Sequence, residues 1–118
     1  MPEFPPAFNA PIASAGGWLA VSGQLAMQGG HLIEGGIGPE TERVIDNIEQ
    51  LLESEGARLQ HVVKINVYLA DLDDYAVMNE TMARRFGAHR PARTTIGAQL
   101  VRGARVEMEV WAYTGSLG

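Results

Sequence analysis

The sequence predicts an α+β domain in which two helices cover one face of a mostly antiparallel sheet. Three observations carry this. Val63, Ile65, Val67 and Leu69 alternate with Lys64, Asn66 and Tyr68, the period of a strand with one face in a core. Val44, Ile48, Leu51 and Leu52 recur at helical spacing, as do Tyr75, Met78, Met82 and Phe86, giving two apolar stripes. Residues 93–100 and 106–113 read as two-sided strands, the second with Val106, Met108, Val110 and Ala112 on its apolar face.

In chain order, four of the six prolines (Pro2, Pro5, Pro6 and Pro11) fall in the first residues and predict an extended arm over 1–12, carrying the aromatic Phe8. Trp18, Leu19, Ala20, Val21 and Ser22 form a short strand ended by Gly23, with a partner expected around His31, Leu32 and Ile33 across the turn at Gly29 and Gly30. Gly35, Gly36, Gly38 and Pro39 precede the first helix, whose Glu40 and Glu42 suit its positive end, and Gly56 stops it. This glycine run lacks the Lys and Ser/Thr of a phosphate loop. Asp71 caps a second helix that Gly87 ends. The expected order is strand, strand, helix, strand, helix, strand, strand, as a single domain over 1–118.

Composition narrows the function. A chain of 118 residues, 46% hydrophobic, builds a core but is small for a deep private pocket, so a site shared between subunits is plausible. A net charge of −5 with nine Lys and Arg argues against nucleic acid as a partner. The absence of cysteine removes disulfides and thiolate chemistry. No apolar run reaches spanning length and the start lacks a signal pattern, so no membrane partner and a cytoplasmic location are expected.

His31, His61 and His89 have no ligand spacing, so no metal is expected, and Ser22 has no partner His or Lys for a nucleophilic triad. Arg93 follows Pro91 among the small neighbours Ala92, Thr94 and Thr95, and offers a carboxylate a bidentate fork; the alternative is a structural ion pair. Glu107 and Glu109 share a face, as an acid/base pair or as solvated carboxylates paired to Arg102 or Arg105. Asn79 falls inside the second apolar stripe, either tied to backbone or lining a site. A three-residue loop, Val101, Arg102 and Gly103, would join the last two strands as a hairpin. Gly97 then lies across from Glu107, and Arg93, Thr95 and Glu107 share one face.

Val21-Ser22-Gly23-Gln24, the glycine-rich run before the first helix, Val67-Tyr68-Leu69-Ala70-Asp71, Asn79, Phe86, Pro91-Ala92-Arg93 and Val106-Glu107-Met108-Glu109 together resemble the RidA (YjgF) family of reactive-intermediate deaminases, from about residue 8 to residue 113. The resemblance implies a chorismate-mutase-like fold, a homotrimer with ligand sites between subunits, and hydrolysis of small enamines and imines, such as 2-iminopropanoate, to 2-keto acids and ammonia without a cofactor. On this resemblance Arg93 holds the substrate carboxylate, Glu107 positions or activates water, Thr95 contacts the ligand through its backbone, and Ser22 and Asn79 line the pocket. Phe8 stands where the family usually has a tyrosine. The loop before Glu107 is one residue shorter than the common pattern and lacks its Leu-Pro, and the first hairpin, at residues 27–30, is shortened too. These departures favour one alternative, a catabolic member acting on a specialised enamine; a second alternative is a non-catalytic member that binds small carboxylates. The RNA cleavage linked to some members fits the acidic balance poorly.

Overall fold

The structure, a computed structural model, describes residues 6–115; the first part of the expected arm, residues 1–5, and the end, residues 116–118, lie outside the described residues. Strands β1 (Ile12–Ala15), β2 (Trp18–Gln24), β5 (Val62–Leu69), β6 (Ala92–Gly97) and β7 (Val106–Tyr113) form one sheet in the order β1-β2-β7-β5-β6. All its pairs are antiparallel except β5 with β6, which are joined through a helix and run parallel. Helices α1 (Ile37–Ser54) and α2 (Tyr75–Phe86) pack on one face of this sheet. The expected α+β class and chorismate-mutase-like arrangement are what the chain adopts.

The core lies between that face and the helices. Ile65, Val67 and Leu69 of β5 and Val106, Met108 and Val110 of β7 meet Val44, Ile45, Ile48 and Leu52 of α1 and Met78 of α2, all essentially inaccessible. Removing each such side chain from water contributes about 1.5–3 kcal/mol. Arg85 of α2 clasps α1, reaching Glu42 at 2.7 Å and Asp46 at 2.8 Å. Among the described residues no helix is long and apolar enough to cross a membrane.

Three expectations are corrected. First, the partner of β2 is not the segment at 31–33 but β1, across a turn in which Gly16 and Gly17 take φ of 55° and 86°. The glycine turn at 29–30 joins a separate ribbon, β3 (Met27–Gln28) with β4 (His31–Leu32), inserted before α1. Asn47 of α1 fastens this excursion by donating to the carbonyls of Leu25 and Met27 at 3.1 and 3.0 Å.

Second, β6 and β7 are not a hairpin. Strand β5 lies between them, and the connecting segment crosses its end, with the Ala98 amide donating to Leu69 and the Ala70 amide donating to Arg105. Gly103 does take a left-handed conformation, φ 73°, together with Arg102, φ 61°. Third, Val63 is 45% exposed because a bulge between Val62 and Lys64 turns it out of the core alternation.

Candidate active site

The sheet register separates the expected site residues. Arg93 is opposite Ile65 and Thr95 opposite Val67, so both point to the helix face, whereas Glu107 is opposite Tyr68 on the face that no helix covers. With β5 between their strands, Arg93 and Glu107 are also about 10 Å apart across the sheet and three residues, about 10 Å, apart along it. The expected shared face of Arg93, Thr95 and Glu107 is therefore overturned within one chain. The predicted residues fall into two groups.

The first group lies where α2 overhangs the edge strand β6. Arg93 donates from Nη1 to Asn79 Oδ1 at 2.8 Å and from Nη2 to the Tyr75 hydroxyl at 2.6 Å, and its guanidinium sits 5.3 Å from the centre of the Tyr75 ring. Nη1 also approaches the Met82 sulfur at 3.7 Å. No carboxylate pairs with Arg93, so the structural ion-pair alternative fails among the described residues. Asn79 is exposed rather than a backbone-tied core amide, because the edge strand leaves that flank of α2 open. Tyr75, expected in the buried stripe, is 42% exposed for the same reason. An open groove of about 510 Å³ runs past Arg93, lined by Asn79, Met82, Phe86, His89 and Pro91. Thr95 lies alongside, and its buried Oγ1 finds no hydrogen-bond partner among the described residues. Such a group costs about 1–3 kcal/mol unless a ligand or water meets it.

The second group lies on the uncovered face. Glu107 rests over Gly23 of β2, where even a Cβ would run into its carboxylate, so the glycine is what lets the side chain lie flat there. Burial, and then the negative charge of Glu109, raise the pKa of Glu107. Glu109 is held by the Tyr68 hydroxyl, in a very short hydrogen bond, and by the Asn66 amide at 3.4 Å. That bond and burial raise the Tyr68 pKa in turn. Glu109 is thus held by Tyr68 and Asn66 rather than by Arg105, which instead meets Glu40, at the start of α1, at 3.0 Å.

Ser22, next to Gly23, donates to the Ala10 carbonyl at 2.7 Å and accepts from the Asn9 amide at 3.2 Å, so it anchors the N-terminal arm beside Glu107, far from Arg93. Phe8 is 98% exposed and belongs to neither group. The uncovered face also presents Trp18, Ile96 and Trp111, each 39–48% exposed. Among the described residues no three His, Asp or Glu side chains gather as a metal site would need.

Two participants were missed in the sequence. Tyr75 stands four residues before Asn79, hence on the same flank of α2, a signal that its assignment to the apolar stripe concealed. The Tyr68–Glu109 bond is a diagonal cross-strand contact that needs the β5–β7 register to be seen.

Comparison with known proteins agrees with this architecture. The family model described as Endoribonuclease L-PSP matches residues 5–114. A RutC family protein of Pyrococcus abyssi is 42% identical over 101 residues, 83% of this chain and 80% of its own. The 2-iminobutanoate/2-iminopropanoate deaminase of Bos taurus is 37% identical over 102 residues, 84% of this chain and 74% of its own. The crystal structure of RidA from the Antarctic bacterium Psychrobacter superposes with a TM-score of 0.87 at 34% identity, covering 91% of this chain and 89% of that one.

Proposed function

The chain belongs to the RidA (YjgF) family, and on that premise we propose that it hydrolyses small 2-imino acids and their enamine tautomers to 2-keto acids and ammonia, at sites formed between copies of itself. The observation that carries the reading is a division of labour across the sheet. Arg93 is a partly exposed guanidinium oriented by uncharged partners and suited to a carboxylate, while Glu107 is a carboxyl group whose pKa burial raises. The bovine relative is named for this reaction.

In the proposed reaction Arg93 binds the substrate carboxylate and so fixes the C=N carbon. Glu107 takes a proton from water as the oxygen adds to that carbon and passes it to nitrogen, giving a carbinolamine; it then carries the hydroxyl proton of that intermediate to the same nitrogen, so that the C–N bond breaks as the C=O forms, ammonia leaves and the 2-keto acid remains. An enamine enters the same path once its terminal carbon accepts a proton. A raised pKa suits a group that must both take and give a proton near neutral pH.

The site needs a second copy because Arg93 and Glu107 face opposite sides of one sheet. The contact that unites them joins two different patches, the β6 edge of one copy and the uncovered face near β2 and β7 of the next. Such a heterologous contact closes into a ring rather than a two-fold dimer, in keeping with a homotrimer. The exposed Trp18, Ile96 and Trp111 supply apolar area for it. The net charge of −5 favours a small carboxylate over RNA as the partner, since Arg93 is a local cation in an acidic chain.

The test generates imines in situ from a panel of L-amino acids with an amino-acid oxidase and traps them with semicarbazide. The protein should lower the semicarbazone yield and Arg93→Ala should not. No effect with any amino acid would count against the proposal.

A further inference from the structure

The same hydrogen bonds that orient Arg93 point to a second ligand-binding group. A guanidinium carries five N–H donors. In Arg93, Nη1 is occupied by Asn79 and Met82, and Nη2 gives one hydrogen to Tyr75. What remains is the Nε–H and one Nη2–H, two donors left for a carboxylate.

The oxygen of the Tyr75 hydroxyl is the acceptor in its 2.6 Å bond with Arg93, which leaves its own hydrogen for another acceptor. Tyr75 is 42% exposed and its ring lies against the guanidinium, so the residue is accessible beside Arg93. The groove beside Arg93 is lined by Met82, Phe86 and Pro91 together with the polar Asn79, His89 and Arg90.

We propose that Tyr75 is a carboxylate-binding residue: its hydroxyl donates to one oxygen of the ligand carboxylate while Nε and Nη2 of Arg93 hold the pair, a three-donor site that selects 2-oxo and 2-imino carboxylates over their neutral amides. The inference rests on the reading of Arg93 as the substrate anchor. A primary amide presents one acceptor oxygen and an NH₂ that would face donors, so it satisfies fewer of the three.

The experiment titrates the intact protein and its Tyr75→Phe and Arg93→Ala variants with pyruvate by calorimetry, alongside steady-state kinetics on 2-iminopropanoate made in situ. Phenylalanine keeps the ring over Arg93 and removes only the hydroxyl. Tyr75→Phe should bind pyruvate about ten- to a hundredfold more weakly, the loss expected for one hydrogen bond to a charged acceptor, with KM raised by a similar factor and kcat nearly unchanged. Arg93→Ala should show no measurable binding. Wild-type-like pyruvate binding by Arg93→Ala would overturn the carboxylate-anchor reading itself. Loss of binding in Arg93→Ala with wild-type affinity in Tyr75→Phe would overturn the role of Tyr75 alone, as would a fall in kcat at unchanged KM.

Discussion

Arg93 and Glu107 stand on opposite faces of one sheet because their partners on β5, Ile65 and Tyr68, are an odd number of residues apart. Side chains alternate along a strand, so no rotamer change brings the two together within one chain. Each is supported locally by its own set of groups, Tyr75 and Asn79 for Arg93, and Gly23, Glu109 and Tyr68 for Glu107. The proposed site is thus divided between two places in one chain.

Glu107→Gln should remove turnover by about 10²–10⁴-fold, the usual contribution of a positioned acid/base group. It should not lower stability. The raised pKa means that the folded chain holds the Glu107 proton more tightly than the unfolded chain. Stability associated with that proton is complete below the unfolded pKa and is lost as pH rises through the folded one. The neutral isostere escapes this loss, so melting curves of Glu107→Gln at pH 7.5 should lie at or above those of the wild type, with the difference vanishing near pH 4. A lower melting temperature at both pH values would mean that the carboxylate is structural.

Glu109→Gln tests the electrostatics of the same group. Glu107 must be ionised to accept a proton from water, so activity falls as pH drops through its folded pKa. The charge of Glu109 is the second cause of the upward shift, after burial. Removing it should move the acid limb of the kcat/KM profile to lower pH while leaving activity at high pH within a fewfold of wild type. An unmoved limb would assign that limb to another group.

Much of this architecture was legible from periodicity. The α1 stripe, the alternating faces of β7 and of β5 after Val63, and the glycine stops at Gly56 and Gly87 follow from local spacing, and the structure keeps them. What was not legible was non-local. The segment from Val62 to Gly97 is a strand–helix–strand unit, whose strands run parallel, and β7 fills the place beside β5 that a hairpin with β6 would have left empty. Once β5 separates β6 from β7, the face that Glu107 shares is decided by two registers rather than one loop length. β1 escaped notice because Ile12, Ala13, Ser14 and Ala15 offer almost no alternation and are recruited by pairing with β2. At the site, Arg93 bonds Asn79 and shares a sheet face with Thr95, while Ser22 precedes Gly23, over which Glu107 lies; the error lay in placing Arg93, Thr95 and Glu107 on one face of one chain.

Arg85 offers a stability test remote from both parts of the proposed site. It bridges α2 to Glu42 and Asp46 of α1, and its hydrogen bond to Glu42 lowers the pKa of that carboxyl group. Because the acidic partners are a third or more exposed, solvent screens much of the attraction. Arg85→Met should cost about 1 kcal/mol, roughly 4 °C in melting temperature. The gap between variant and wild type should narrow as salt is raised. A gap independent of salt would trace the loss to packing of the Arg85 stem instead.

The most direct test of two half-sites joined between copies is complementation. Arg93→Ala and Glu107→Gln are each predicted to be inactive, and every chain in a mixture of the two lacks one essential group. If a site takes Arg93 from one copy and Glu107 from its neighbour, equimolar co-expression should restore activity to about one quarter of the wild-type sites, the fraction of random neighbour pairs in which both groups are intact. Activity in the mixed oligomers with none in either parent is the predicted result. Mixed oligomers of confirmed composition that remain as inactive as their parents would contradict a site shared between copies.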